Sequence, residues 1–178
     1  MEDRLLLLGL KAGNLKALQR IYDKYFIVMH TLATGLVRDR AGAEDVVQDV
    51  FANLIEMAGK KAQISSLKSY LMTATANRAR NLLRARKNSL GCLADTEIAA
   101  SIEEPSEELA RNEEIAKLTK ALGELPYEQR ETILLHLKGG LKFREIAQCL
   151  NESHNTVQSR YRYGLEKLRS ILKEKVQE

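Results

Sequence analysis

The chain has 178 residues, 44% of them hydrophobic and 5% aromatic, and carries a formal net charge of +4. That length allows one or two domains, and no apolar run approaches the roughly 18 residues that a membrane-crossing helix requires. The two cysteines, Cys92 and Cys149, have no cysteine or histidine at ligand spacing, and the histidines (His30, His136, His154) are dispersed. Free thiols are therefore expected, with no metal, no cofactor and no catalytic set. Leu5 to Leu8 follows acidic residues, so it does not have the form of a secretory signal, and a cytoplasmic protein is expected.

Charge is unevenly distributed. Residues 1–88 hold 15 Lys and Arg against 8 Asp and Glu, residues 89–114 hold one Arg against 8 acids, and residues 115–178 hold 12 basic against 8 acidic residues. Two basic blocks flanking an acidic connector suit a polyanionic partner at both ends of the chain. Solvated surface charge would account for either block alone.

In chain order, a short helix around Asp3 to Lys11 is broken at Gly13-Asn14. A long amphipathic helix over Asn14 to Val37 follows, marked by Leu15, Leu18, Ile21, Tyr22, Tyr25, Met29, Leu32 and Leu36. Asp39 can cap the next helix, about Ala41 to Ala58, whose inward residues are Val46, Val47, Val50, Phe51, Leu54 and Ile55. Its other face collects Glu44, Asp45, Gln48 and Asp49, four apart in pairs. That patch is either solvated or docks a basic protein surface.

Ser65 or Ser66 caps a helix running to about Lys87, with Leu67, Leu71, Ala74 and Leu82 inside. Thr73, Asn77, Arg80, Arg84 and Lys87 recur at steps of four, three, four and three. They form a stripe that either holds phosphates, with an affinity that falls as salt rises, or is solvated. Residues 88–106 lose periodicity and read as an acidic linker between two domains. Helicity resumes near Glu107.

The last third contains three apolar-periodic segments. Pro126 to Leu137 starts with proline at a first helical position and carries Ile133, Leu134 and Leu137 inward. Phe143 to Leu150 follows the Gly139-Gly140 break. After Asn151-Glu152-Ser153-His154, a helix to about Leu172 carries Val157, Tyr161, Leu165, Leu168 and Leu172 at helical spacing, with Ser153 as N-cap. A short helix, a tight polar turn and a longer helix make a helix-turn-helix, whose second helix enters a major groove N-terminus first. Asn155, Thr156, Gln158, Ser159, Arg160 and Arg162 lie opposite the apolar stripe and suit base edges and phosphates. The plainer reading is a helical bundle with a polar outer face. No stretch alternates as a strand does, so the expected fold is all-α: two helical domains joined by a flexible acidic linker, the C-terminal one a helix-turn-helix.

Together these residues resemble a bacterial sigma factor of the extracytoplasmic-function branch of the sigma-seventy family. AGAEDVVQDVF is similar to the family's core-binding segment, and LKSYLMTATANRARNLLRARK to its minus-ten-reading segment. LGELPYEQRETILLHLKGGLKFREIAQCL with NTVQSRYRYGLEKLR resembles its minus-thirty-five-reading domain. The resemblance implies a region 2 domain over 1–88, a linker over 89–106 and a region 4 domain over 107–178. It implies that Asp45, Gln48 and Asp49 dock the clamp coiled coil of the largest subunit of core RNA polymerase. Thr73, Asn77, Arg80, Arg84 and Lys87 would then engage the minus-ten element of promoter DNA, and the helix from Asn155 the minus-thirty-five element. The surface around Leu134 to Lys138 would meet the flap of the second-largest subunit. The family also implies an anti-sigma factor as partner and no chemistry of the chain's own.

The chain departs from the family pattern in FANLIEM, where relatives commonly carry a tryptophan, in His154-Asn155, and in Gln158, a position often held by lysine. Rival readings are a stand-alone helix-turn-helix regulator, which leaves residues 40–87 unexplained, and a polymerase-binding adaptor that reads no DNA. Tyr70 is the main aromatic of the melting segment, so single-strand capture by stacking is weak. The chain is accordingly expected to open only promoters close to its preferred sequence. Transcription assays on degenerate promoters check this, and efficient initiation from many of them would overturn it.

Overall fold

The computed structural model describes residues 2–59, 64–89 and 109–174, and among these every regular element is an α-helix. They are α1 (Glu2–Lys11), α2 (Leu15–Val37), α3 (Arg40–Gly59), α4 (Leu67–Ser89), α5 (Leu109–Gly123), α6 (Tyr127–Leu137), α7 (Phe143–Leu150) and α8 (His154–Glu174). The chain divides into two compact units, Met1–Cys92 and Leu93–Glu178. The expected linker lies outside the described residues except for Ser89, which closes α4; Cys92 lies outside them too.

In the first unit, α2, α3 and α4 pack against one another and α1 lies across them. Asn14 caps α2 by accepting the Lys16 N–H at 2.9 Å. The inward stripe of α2 is Ile21, Tyr25, Met29, Leu32 and Leu36. Leu15 does not join it and is 78% exposed. Residues two apart fall on opposite sides of a helix, and Ala17 is the buried one. Tyr22 is also exposed at its edge, where its ring stacks on Phe26 (4.8 Å) and meets Phe51 of α3 (5.0 Å).

α3 buries Val46, Val47, Val50, Phe51, Leu54 and Ala58. Ile55, expected inside, is half exposed because it falls one step past the stripe that runs 47, 50, 51, 54, 58. α4 is capped by Ser66, whose Oγ accepts the Ser69 N–H at 3.2 Å. Its fully buried side chains are Leu67, Leu71, Met72, Thr75, Ala76 and Ala79, while Ala74 and Leu82 are only half-buried. Thr75 satisfies its hydroxyl within the helix by donating to the Leu71 carbonyl at 2.8 Å.

Polar clamps finish the packing. α1 is held to α2 by Tyr25, whose hydroxyl donates to Asp3 at 2.6 Å, and by Lys24, which bonds Glu2 at 2.6 Å and Asp3 at 2.8 Å. Partial burial alone would raise the Asp3 carboxyl, but the Lys24 and Tyr25 bonds outweigh it and hold it below the usual carboxylate range. Burial, reinforced by Asp3, pushes the Tyr25 phenol well up. At the start of α3, Asp39 Oδ2 accepts both the Gly42 N–H (2.8 Å) and an Arg86 guanidinium N–H from α4 (2.7 Å). Gly42 makes room for this: a Cβ there would lie 2.5 Å from Asp39 Oδ2 and 2.6 Å from the Arg86 guanidinium.

In the second unit, Ala121, Leu125, Ile133, Leu168 and Ile171 form a core, flanked by Leu122, Tyr161, Leu165 and Leu172. Pro126 stands one residue earlier than expected. It is the N-cap of α6, with an extended ψ of 141°, and its carbonyl accepts from Gln129 and Arg130. α6 is buried from Arg130 through Leu135, while Leu137, expected inward, is 57% exposed at its last position. α8 crosses α6 closely at Gly164, where a Cβ would lie 2.8 Å from Ile133 Cδ1.

Asp39 sits below the ordinary carboxylate range because of Arg86 first and the Gly42 N–H next. Its contribution is therefore fully present above the unfolded value of about 3.9 and is lost as pH falls through the lower folded value. Asp39→Ala should cost about 1–2 kcal/mol at pH 7. Urea titrations of wild type and variant should show that difference shrinking below about pH 4.

Candidate functional site

Two faces of the first unit and one of the second carry the residues singled out above. On α3, Asp45 and Gln48 are exposed and Asp49 is half-buried. They line a shallow groove with Val46, Arg78 and Leu82, the last two from α4. Asp49 is paired: the Arg78 guanidinium donates to its carboxylate, with Nε at 2.6 Å. The acidic patch is thus a groove with one cation at its edge, and Asp45 and Gln48 form its open part. Arg40 bonds Glu44 within α3 at 3.2 Å, and Glu44 does not line the groove.

α4 sorts its cations by direction. Arg78 and Arg86, eight residues apart and so on one side, turn toward α3 and meet Asp49 and Asp39. Thr73, Asn77 and Arg80 are half-buried, and Arg84 and Lys87 are exposed. Arg80 donates to the Asn77 side-chain oxygen at 3.2 Å, so these two act as one polar group. The expected stripe is present, with a hydroxyl and amide at its inner end and cations at its outer end. Tyr70 is half-buried, its hydroxyl on the Met57 sulfur at 3.0 Å, and burial raises its phenol. A ring fixed in this way is no open stacking platform.

In the second unit, α7 ends on Asn151, which takes the left-handed conformation (φ 54°). α8 begins after Ser153, whose Oγ accepts the Thr156 N–H at 3.0 Å and contacts the Thr156 hydroxyl at 2.8 Å. The turn is one residue shorter than expected, because His154 already belongs to α8. Asn155, Gln158 and Arg162 are exposed, and Ser159 is half-buried beside them. Thr156 and Arg160 form a second, half-buried line, with Arg160 bonded to Glu152 at 2.8 Å. Thr156 thus serves the cap as well as the polar face.

Three features here were not legible beforehand. Arg162 stacks on Tyr163, with the guanidinium carbon 4.8 Å from the ring centroid and a hydrogen bond to the hydroxyl at 3.0 Å. His136, Phe143, His154 and Tyr161 form an aromatic cluster joining α6, α7 and α8. His136 and His154, distant in sequence, both contact the Phe143 ring, and His136 Nδ1 also bonds the Leu141 carbonyl at 2.8 Å. Of Leu134 to Lys138, Leu137 and Lys138 are exposed and Leu134 is buried.

The Sigma-70 region 2 family matches residues 21–89 and the Sigma-70 region 4 family matches residues 115–168. The sigma factor CarQ of Myxococcus xanthus is 32% identical over 166 residues, covering 91% of this chain and 92% of CarQ. The chain belongs to the sigma-70 family of RNA polymerase sigma factors, in its extracytoplasmic-function branch. The ECF sigma factor SigK of Mycolicibacterium vanbaalenii is 28% identical, covering 88% of this chain and 82% of SigK. RfaY of Xanthomonas campestris is also 28% identical, but the chain spans only 38% of its length. The solved structure of CnrH in complex with the cytosolic domain of CnrY superposes with a TM-score of 0.74 at 22% identity, over 98% of this chain and 99% of CnrH. Sigma factor RpoE of Bartonella quintana, in complex with the anti-sigma factor NepR, gives 0.65 at 23%, over 87% of this chain and 98% of RpoE. These two share the fold.

Because Asp49 and Arg78 are each close to half exposed, their pairing is weak. A double-mutant cycle with Asp49→Ala and Arg78→Ala should give about 0.2–1 kcal/mol of coupling. Raising the salt in the same denaturation experiments should remove most of it.

Proposed function

We propose that this sigma factor binds core RNA polymerase through the α3 groove and reads promoter DNA through α4 and α8. The supporting observation is the division of labour between α3 and α4. Asp45 and Gln48 stay open on α3, while Arg78 is turned to Asp49 of α3, Arg86 to Asp39 at its cap, and Arg84 and Lys87 are left outward. One helix pair thus offers an acidic groove for a basic protein surface and a cationic ridge for phosphates. The clamp coiled coil of the largest subunit takes the groove, with Asp49 reaching it once Arg78 yields. Thr73, Asn77 and Arg80 meet bases of the minus-ten element, and Arg84 and Lys87 meet its phosphates.

On α8, Asn155, Gln158 and Arg162 face the major groove of the minus-thirty-five element, with Thr156, Ser159 and Arg160 beside them. Leu137 and Lys138 touch the flap of the second-largest subunit. Polymerase fixes the separation of the two units, so two modest DNA-binding faces act as one strong one. The chain contributes recognition and the polymerase contributes chemistry, in the cytoplasm. CnrH and RpoE were solved with the cytosolic domain of CnrY and the anti-sigma factor NepR, which supports an anti-sigma partner here as well.

In vitro transcription from fragmented genomic DNA tests this reading. Added to core polymerase, the chain should create start sites that share two upstream motifs at fixed spacing; their absence would reject it. Arg84→Gln and Lys87→Gln should each lower the salt slope of holoenzyme–promoter binding by about 1. Arg86→Gln, whose cation is held by Asp39, should leave the slope unchanged and lower stability instead.

A further inference from the structure

The turn between α7 and α8 holds an acid where the DNA-facing surface is otherwise polar or basic. Glu152 follows the left-handed Asn151, and its N–H donates to the Ala147 carbonyl at 2.9 Å. Ser153, the next residue, caps α8. The Glu152 backbone is therefore fixed between the end of one helix and the start of the next. Its carboxylate accepts from Arg160 Nη2 at 2.8 Å, across eight residues. Both side chains are mostly shielded, 25% exposed for Arg160 and 34% for Glu152.

Side chains on a helix lean toward its N-terminus. Arg160 accordingly runs back along α8 toward the turn, the end that leads into a major groove. A guanidinium has five N–H donors in a rigid fork. The bond to Glu152 fixes the plane of that fork and leaves further donors for a base or phosphate. The same carboxylate repels phosphates, so it weakens attraction to DNA of any sequence.

We infer that Glu152 is a positioning residue for promoter specificity: it orients Arg160 toward the upstream element and suppresses sequence-independent binding. This rests on the reading of Arg160 as a DNA contact given above. It adds a residue outside the recognition helix that acts on base preference through another side chain and on general attraction through its own charge.

The test uses the full chain with core RNA polymerase on a pool of promoters whose upstream element is randomised, sequencing the transcripts. In parallel, the chain is titrated onto a random-sequence duplex. Arg160→Ala should abolish one base preference. Glu152→Ala should reduce that same preference about tenfold, the scale of one well-formed base contact, while binding the random duplex more tightly than wild type. Glu152→Ala added to Arg160→Ala should remove no further preference. Simple destabilisation would lower both readouts, so the opposite signs separate positioning from folding. Glu152→Gln keeps an acceptor on the turn and serves if the alanine variant unfolds; it should tighten random-duplex binding and retain part of the preference. If Arg160→Ala erases a preference that both Glu152 variants retain in full, the inference fails and the reading of Arg160 stands. If Arg160→Ala changes no preference, both fall.

Discussion

α4 carries six Lys and Arg residues and no acid, yet one side of it must be buried. Like charges one turn apart, such as Arg80 and Arg84, oppose helix formation, and a lone buried cation would cost more still. The first unit meets this constraint by composition and by placement. Small side chains, Ala76, Ala79 and the self-satisfied Thr75, let α4 approach its neighbours without burying a charge. The cations that flank the contact are met by Asp49 of α3 and by Asp39 at its cap. Arg84 and Lys87 are left outward, where bound anions would relieve their repulsion. The charge pattern that makes α4 awkward to fold is thus the one that suits it to nucleic acid.

The second unit solves a different problem. Its α7 has only eight residues, too few to be stable alone. It is held by the aromatic cluster around Phe143 and by the Asn151 cap. Gly164 lets α8 lie close on α6, so the polar face of α8 rides on a rigid base. Order in α8 therefore comes from the core beneath it, and DNA need not supply it.

Much of this was legible in the sequence because helix periodicity and capping are local. The ranges of α1, α2, α3 and α7, the caps at Asp39 and Ser153, and the choice of Ser65 or Ser66 for α4 follow from residues within one or two turns. Periodicity failed where burial was not one-sided. α6 is enclosed from Arg130 to Leu135, so no single stripe marks it, and Leu137 was placed inside although the helix ends there. Leu15 and Ile55 were misplaced at the edges of stripes, where the direction of the neighbouring helix decides burial. The spacing of Asp45, Gln48 and Asp49 and of the α4 stripe showed which residues share a face of α3 and of α4. Arg78 on Asp49, Arg86 on Asp39 and Glu152 on Arg160 join residues 29, 47 and 8 positions apart, which no local pattern encodes.

The Asp39 cap has a consequence for how this sequence can drift. At most helix starts Asp, Asn, Ser and Thr exchange at little cost, since each offers an oxygen to the first turn. Here the same oxygen also neutralises a cation from another helix, and the space for that cation exists only because residue 42 lacks a Cβ. A neutral cap would satisfy α3 and leave Arg86 without its counter-charge; a larger residue at 42 would crowd both the capping oxygen and the guanidinium. Positions 39, 42 and 86 are thus coupled, and a change at one alters the cost of changes at the others. The coupling sits at the junction of α3 and α4, so it constrains the sequence although none of the three residues lines the α3 groove or belongs to the α4 stripe.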